Sequence, residues 1–301
     1  MATSRHDILS SPQRKKRKRR RILFKVALSF LALVLLIGCM SWFAHQDYTR
    51  IADIEIEGNK VISSEEISKI AHEEISGKYA WLFPKNNIFI YPKNHLIQKL
   101  SDEFSRFSEV DITIVESDLI KVSVAERSPY ALWCGEEYSG EPRDVLGKCY
   151  FLDDTGYIFT IAPPISENVY FEFYGPVLLP EGGNVETASS TNYVLENYSP
   201  LRASILSDGQ FERFIEFKKS LEKLGIESTR LSILLDGDLE LFMLSEGKIL
   251  FNESQDYNKL ADDLRLSLDI KLVDGAGGRS ILDIEYIDMR FDDRAVFKFI
   301  E

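Results

Sequence analysis

Cysteine is scarce in this chain. Three in 301 residues are too few for a protein framed by disulfides. The four histidines, His6, His45, His72 and His95, fall at no His-Glu-x-x-His or similar metal spacing. Ten prolines and 17 glycines exclude collagen-like and low-complexity chains. No Gly-x-Ser-x-Gly elbow or Walker phosphate loop occurs. Gly275-Ala276-Gly277-Gly278 follows a helical pattern and precedes a strand, so it reads as a flexible connection rather than a phosphate cradle. Asp153-Asp154, Asp262-Asp263 and Asp292-Asp293 are adjacent pairs that cannot face each other across a substrate, so they are poor acid/base pairs. The residues point to no catalytic constellation, no cofactor and no metal.

Uncharged apolar runs are also lacking, with one exception. Ile22–Phe43 is a 22-residue run whose single charge is Lys25. As a helix it spans roughly 33 Å, enough for a hydrocarbon core of about 30 Å. Trp42 and Phe43 mark its far end as aromatic interface anchors. Basic residues are concentrated before it. The whole chain has 36 Lys+Arg against 48 Asp+Glu, a net charge of -12. Residues 1–21 hold nine of the bases and one acid, giving +8, which leaves 27 bases against 47 acids, or -20, for the remainder. The block Arg14–Arg21 beside an apolar run predicts a cytoplasmic tail (1–21), a single transmembrane helix (22–43) and an extracytoplasmic remainder. Leu36-Ile37-Gly38-Cys39 also fits a lipoprotein cleavage box, but the apolar run continues past Cys39. The basic block contacts anionic lipid on this reading, and no nucleic-acid role is expected.

With 45% hydrophobic and 28% charged residues, the remainder can bury a core. Ile54 and Ile56 alternate with acids as in a strand. Ser63 and Glu66 form a capping-box pattern, and Ile67, Ile70, Ala71 and Ile75 follow on one helical face. Ile88–Tyr91 reads as a short strand before Pro92, and Leu96, Ile97, Leu100 and Phe104 as a second helix. Val110, Ile112 and Ile114, then Ile120, Val122 and Val124, predict a hairpin around Glu116–Leu119. This strand–helix–strand–helix–strand–strand order covers about residues 50–127. Residues 128–301 read as mostly β. Tyr150–Phe159 is a hairpin over Asp153-Asp154-Thr155-Gly156. Residues 175–209 read as a long mobile surface segment rich in Pro, Gly and Ser. Phe211–Leu224 is a helix closed by Gly225, and Tyr257–Leu268 is another. Between them, Leu231–Leu235, Leu239–Leu244 and Lys248–Phe251 are strands. Leu282, Ile284 and Tyr286 alternate, but Ile287, Met289 and Phe291 take the opposite phase. Either a bulge flips the strand near Tyr286 or both faces are covered. Ala295, Phe297 and Phe299 then alternate in a last strand after an Asp292-Asp293 turn.

Four short motifs stand in order behind the apolar run. They are Ile54-Glu55-Ile56-Glu57-Gly58-Asn59, the junction Glu126-Arg127-Ser128-Pro129-Tyr130-Ala131-Leu132-Trp133, the hairpin Phe151–Phe159, and Tyr286-Ile287-Asp288-Met289-Arg290-Phe291. In this arrangement the chain resembles the bacterial cell-division family FtsQ/DivIB over nearly its whole length. The resemblance implies an α+β fold: a single-pass helix, then a POTRA domain (βαβαββ, 50–127), then a mostly antiparallel β domain with flanking helices (128–301). It implies a non-enzymatic scaffold of the divisome that binds FtsB-like and FtsL-like bitopic partners and other divisome components, located in the inner (plasma) membrane at the division septum. It implies partner binding by strand addition at the last strands, with Phe291, Asp293, Arg294, Ala295, Phe297 and Phe299 as the contact residues. On the residues alone, Phe291, Phe297 and Phe299 equally suit the core of an ordinary terminal strand. A POTRA-bearing component of an envelope transport or assembly machine, and a membrane-anchored lipoprotein, are the competing classes.

Cys134 and Cys149 flank a loop. In an oxidising exterior they can bridge, for roughly 3 kcal/mol by the chain-entropy model, and in a reducing compartment they stay thiols. Cys39 reads as an apolar filler of the membrane run.

Overall fold

The computed structural model describes residues 12–135, 149–166, 168–178, 199–273, 283–291 and 294–300. The expected loop 274–278, the Asp292-Asp293 turn and most of the expected mobile segment lie outside them. The fold is α+β, and the chain divides into two compact units, residues 1–103 with 109–125, and residues 104–108 with 126–301.

The first unit begins with helix α1 (Pro12–Ala44). Its Lys18–Ala44 stretch, 27 residues, is long and apolar enough to cross a membrane, and no residue of its apolar window is buried against protein. The helix runs through Cys39, which is free, without a break. Strand β1 (Asp53–Glu57) leads to α2 (Ser64–Ile75). The Ser63 hydroxyl accepts the Glu66 N–H at 3.2 Å, so one orphan donor of the first turn is satisfied where the capping pattern placed it. Ile67, Ala71 and Ile75 form the buried stripe of α2. A small hairpin follows, β2 (Lys78–Tyr79) and β3 (Phe83–Pro84), then α3 (Lys93–Glu103), which buries Leu96 and Leu100. Strands β4 (Phe107–Ile114) and β5 (Leu119–Glu126) complete a sheet of order β1-β5-β4, with β1 parallel to β5.

Two local expectations fail here. Ile88–Tyr91 is a turn rather than a strand. The Asn87 side chain is buried and donates to the Ala44 carbonyl at 3.1 Å and to Thr49 Oγ1 at 3.0 Å, while the Ile90 and Tyr91 N–H groups fold back onto the Asn87 carbonyl. Four apolar residues looked like a strand, but the Asn87 main-chain carbonyl takes the Ile90 and Tyr91 N–H groups and its side-chain oxygen takes the Phe89 N–H at 3.0 Å, which turns the segment. Phe104 sits just past the last turn of α3 and meets the Phe107 ring at 5.1 Å.

The second unit holds β6 (Ala131–Trp133), β7 (Tyr150–Leu152), β8 (Ile158–Ile161), β9 (Glu172–Tyr174), α4 (Asp208–Lys223), β10 (Ser228–Ile233), β11 (Asp238–Met243), β12 (Lys248–Asn252), α5 (Tyr257–Val273), β13 (Ile284–Asp288) and β14 (Val296–Phe299). The strands form one nine-stranded sheet in the order β14-β13-β12-β11-β10-β9-β6-β7-β8. Pairing is mostly antiparallel, with parallel contacts at β6–β9, β9–β10 and β12–β13. Helices α4 and α5 close its main core. Phe173 meets Phe211 at 5.5 Å and Phe214 at 5.6 Å, and Phe217 meets Phe251 at 5.2 Å. The two-residue alternation of β6–β8 sends Leu132, Phe151 and Phe159 into a second, smaller cluster with Cys149. Cys134 and Cys149 are joined by a disulfide beside that cluster, which decides between the two states left open by the sequence.

Residues 199–206 of the expected mobile segment are packed rather than mobile. Ala203, Ile205 and Leu206 are buried in the main core, and Leu178 and Ser204 exchange backbone hydrogen bonds of 2.6 and 2.9 Å. Surrounding Pro and Gly hid three apolar residues that pack as core without regular structure.

The junction motif and the hairpin motif meet in one polar clasp. Asp153, 3% exposed, accepts from the Thr155 N–H at 2.9 Å, the Thr155 hydroxyl at 2.7 Å and the Tyr157 N–H at 3.0 Å through one oxygen. Its other oxygen takes Arg127, whose guanidinium lies 4.1 Å from the Tyr157 ring centroid. The turn also requires glycine at 156: φ is +84°, and a Cβ would stand 2.5 Å from the Phe211 ring. Removing Arg127 leaves a buried carboxylate without its cation. Arg127→Ala is expected to lower stability by about 3 kcal/mol, read as a fall in the urea midpoint of the second unit's near-UV circular dichroism.

Candidate functional site

The last two strands are held in the sheet by an unusual strand entry. β13 runs parallel to β12, with Ile249 opposite Ile287 and Leu250 opposite Asp288. The Met289 N–H extends this ladder to the Leu250 carbonyl at 2.8 Å, and Gln255 Nε2 donates to the Met289 carbonyl at 2.9 Å. Against β14 the register shifts between Ile284 and Tyr286. Of the two readings the sequence left open, a bulge or two covered faces, the structure has the bulge, and Ile284, Ile287 and Met289 are all buried although they do not share one alternation.

Arg290 then ties the end of β13 to β11. Its guanidinium donates to Asp288 at 2.9 and 2.6 Å and to Asp238, on β11, at 2.8 Å. Asn252 of β12 donates to the other Asp238 oxygen at 2.9 Å. The Arg290 hydrogen bonds hold both carboxyls below the ordinary carboxylate range, with Asn252 adding to the effect at Asp238. The Asp-x-Arg pair of the last motif is therefore a structural clasp at the end of β13.

Beyond the clasp, β14 pairs antiparallel with β13 through Ile287 opposite Phe297 and Asp288 opposite Val296. It stands at one edge of the sheet, and among the described residues no strand lies on its outer side. The Ile300 N–H bonds inward to the Asp283 carbonyl at 2.8 Å. By antiparallel alternation, the N–H and C=O of Phe297 point outward, away from β13. The opposite edge of the sheet is different. On β8, Ile158 exchanges backbone hydrogen bonds with Ala203 and Arg202 at 2.8 Å each, and the Phe159 carbonyl accepts the Ser105 hydroxyl at 2.7 Å.

The expected contact residues divide into two groups. Phe291 and Arg294 are exposed, with the guanidinium 5.2 Å from the Phe291 ring centroid. With Ala295 they line one wall of a groove of ≈ 510 Å³ whose other wall is α5, through Lys259, Asp263 and Leu266. Phe297 and Phe299 stack at 6.4 Å on the core side of β14 and are half-buried against the main core. Asp293 lies outside the described residues. The sequence reading missed the solvent face of β14. Val296 is 40% and Ile300 54% exposed, with Lys298 between them bonded to Glu285 at 2.7 Å. Alternation signals that face, since it is the complement of Ala295, Phe297 and Phe299. Leu266 was also missed; it is 55% exposed and off the Tyr257–Leu260–Leu264–Leu268 stripe.

Among the described residues no group of three or more His, Cys, Asp or Glu side chains is placed to hold a metal ion. No protein-family model matches the chain, and no curated protein sequence matches it.

The clasp has a pH signature. The folded carboxyls of Asp288 and Asp238 ionise at lower pH than in the unfolded chain, so the unfolded state binds protons first on acidification. The stabilisation is complete above the ordinary value of 3.8 and is lost as pH falls through the lowered folded values. Arg290→Ala removes the leading cause of both shifts. Its acid-unfolding midpoint by circular dichroism is expected to move to higher pH than that of the parent protein, and an unchanged midpoint would count against the clasp.

Proposed function

We propose that the chain is a membrane-anchored, non-enzymatic scaffold of the bacterial divisome, of the FtsQ/DivIB type. It captures an FtsB-like or FtsL-like partner chain by strand addition along β14. The observation that carries this reading is the asymmetry between the two sheet edges. A sheet edge presents unpaired backbone donors and acceptors, and natural proteins usually cover it. Here Arg202, Ala203 and Ser105 cover β8, whereas no strand lies outside β14 among the described residues. A partner strand laid there gains backbone hydrogen bonds for affinity. The groove beside it, walled by Phe291, Arg294 and Leu266 together with Lys259 and Asp263, offers mixed apolar and charged contacts to the partner's side chains.

The remaining parts of the proposal rest on other features. Helix α1 supplies the anchor, and the basic block Arg14–Arg21 favours a cytoplasmic N-terminus with the residues after Ala44 on the outer side of the inner membrane. The helix's continuation past Cys39 to Ala44 supports a spanning segment over a lipidated cysteine. The β1–α2–α3–β4–β5 core of the first unit, with β1 parallel to β5, supports a POTRA-like assignment in which the β2–β3 hairpin joins the two helices. The disulfide supports an oxidising compartment.

Strand addition needs the outward N–H of Phe297. Phe297→Pro removes that donor without removing a bond of the β13–β14 ladder. Co-purification of the bitopic division proteins from membranes of dividing cells is expected to be lost with this variant. With Phe291→Ala it is expected to weaken by about 1–2 kcal/mol. Circular dichroism checks that each variant keeps its fold. Undiminished capture by both variants would sink the proposal.

A further inference from the structure

The hairpin β2–β3 was not expected from the sequence, and its shape is costly. The Leu82 N–H closes the turn onto the Tyr79 carbonyl at 3.0 Å. Both residues between them have positive φ, Ala80 at 45° and Trp81 at 62°. Asn and Gly usually fill such positions, because a Cβ is strained there. A tryptophan in this place is 91% exposed, so its strain is not offset by packing within the protein.

The location of the tip suggests what offsets it. The Leu82 carbonyl accepts the Ser41 hydroxyl at 2.6 Å. Ser41 lies within the apolar stretch Lys18–Ala44, one turn before its end. The tip of the hairpin therefore reaches back along the helix by about 4.5 Å. The neighbouring turn is tied to the same place, since Asn87 donates to the Ala44 carbonyl at 3.1 Å. Around the helix end stand exposed Trp42, Tyr48, Trp81, Leu82, Phe89 and Ile90. Lys78 opens the hairpin and Lys85 follows it, placing ammonium groups at its base. Aromatic side chains with flanking lysines form the belt that proteins place at the boundary of hydrocarbon and lipid headgroups.

We infer that the Tyr79–Phe83 hairpin is a second membrane contact, with Trp81 and Leu82 seated in the lipid interface beside the end of α1. This rests on α1 spanning the bilayer and goes beyond the scaffold reading. The contact fixes how the first unit meets the membrane: one helix allows the unit to rotate about its axis and tilt, and a second insertion point beside it does not.

The experiment uses the full chain in vesicles of zwitterionic lipid whose acyl chains are brominated near the carbonyl end. Bromine quenches tryptophan emission at contact. The parent protein is compared with Trp81→Phe and Trp42→Phe. Each substitution is expected to remove a share of the lipid-quenchable emission, and Trp133, buried in the second unit, contributes none. If Trp42→Phe removes quenchable emission but Trp81→Phe does not, the helix is inserted and the hairpin inference is overturned while the anchor stands. If neither does, the anchor and the hairpin contact fall together. A blue-shifted Trp81 emission that brominated chains leave unquenched places a protein surface on the hairpin instead and overturns the lipid contact.

Discussion

A β-strand carries hydrogen-bonding groups on both of its edges, and each must find a partner or meet water. In the nine-stranded sheet this constraint is met differently at the two ends. At β8 the chain folds back and supplies its own partners, from residues 202–203 and from Ser105. At β14 the described residues place a strand on one side alone. The proposed activity follows from that difference more than from any side chain, because strand addition draws its affinity from the main chain and its selectivity from the pockets beside it.

Two arginine–aspartate clasps keep the sheet's ends in place. Arg127 locks the junction segment to the buried Asp153 of the β7–β8 turn, and Arg290 ties the end of β13 to β11. They differ in setting. Asp153 is nearly inaccessible and also holds three donors of its own turn, whereas the Arg290 side chain is 41% exposed, so solvent screens its attraction. The first clasp therefore contributes mainly to stability. The second mainly fixes register: β13 lies parallel to its neighbour β12, and no tight turn sets their alignment.

The candidate site was partly legible. The phase break between Ile284 and Met289 called for either a bulge or two covered faces, and the structure has a bulge there. Alternation put Ala295, Phe297 and Phe299 on one face, but it could not say which face meets the core. The two phenylalanines lie on the core side, half-buried; the outward backbone groups of Phe297, the exposed pair Phe291 and Arg294, and the opposite face of Val296, Lys298 and Ile300 make up the candidate site. Leu266 joins the site from α5 because a helix brings distant residues beside a strand, and no local pattern records that.

By itself the sequence determined the elements whose signals are local. Charge and hydropathy marked α1. Helical spacing marked α2, α3, α4 and α5, because every third or fourth residue on a helix must share a face. Alternation marked most strands. Tertiary structure decided what depends on residues far apart in the chain: the order of the nine strands, the disulfide, the conversion of Ile88–Tyr91 from strand to turn by the buried Asn87, and the burial of Ala203, Ile205 and Leu206 inside a segment that looked like open loop. The reason is physical. Periodicity reports which side of an element is apolar, whereas an edge, a clasp or a buried loop exists only once other elements have taken their places.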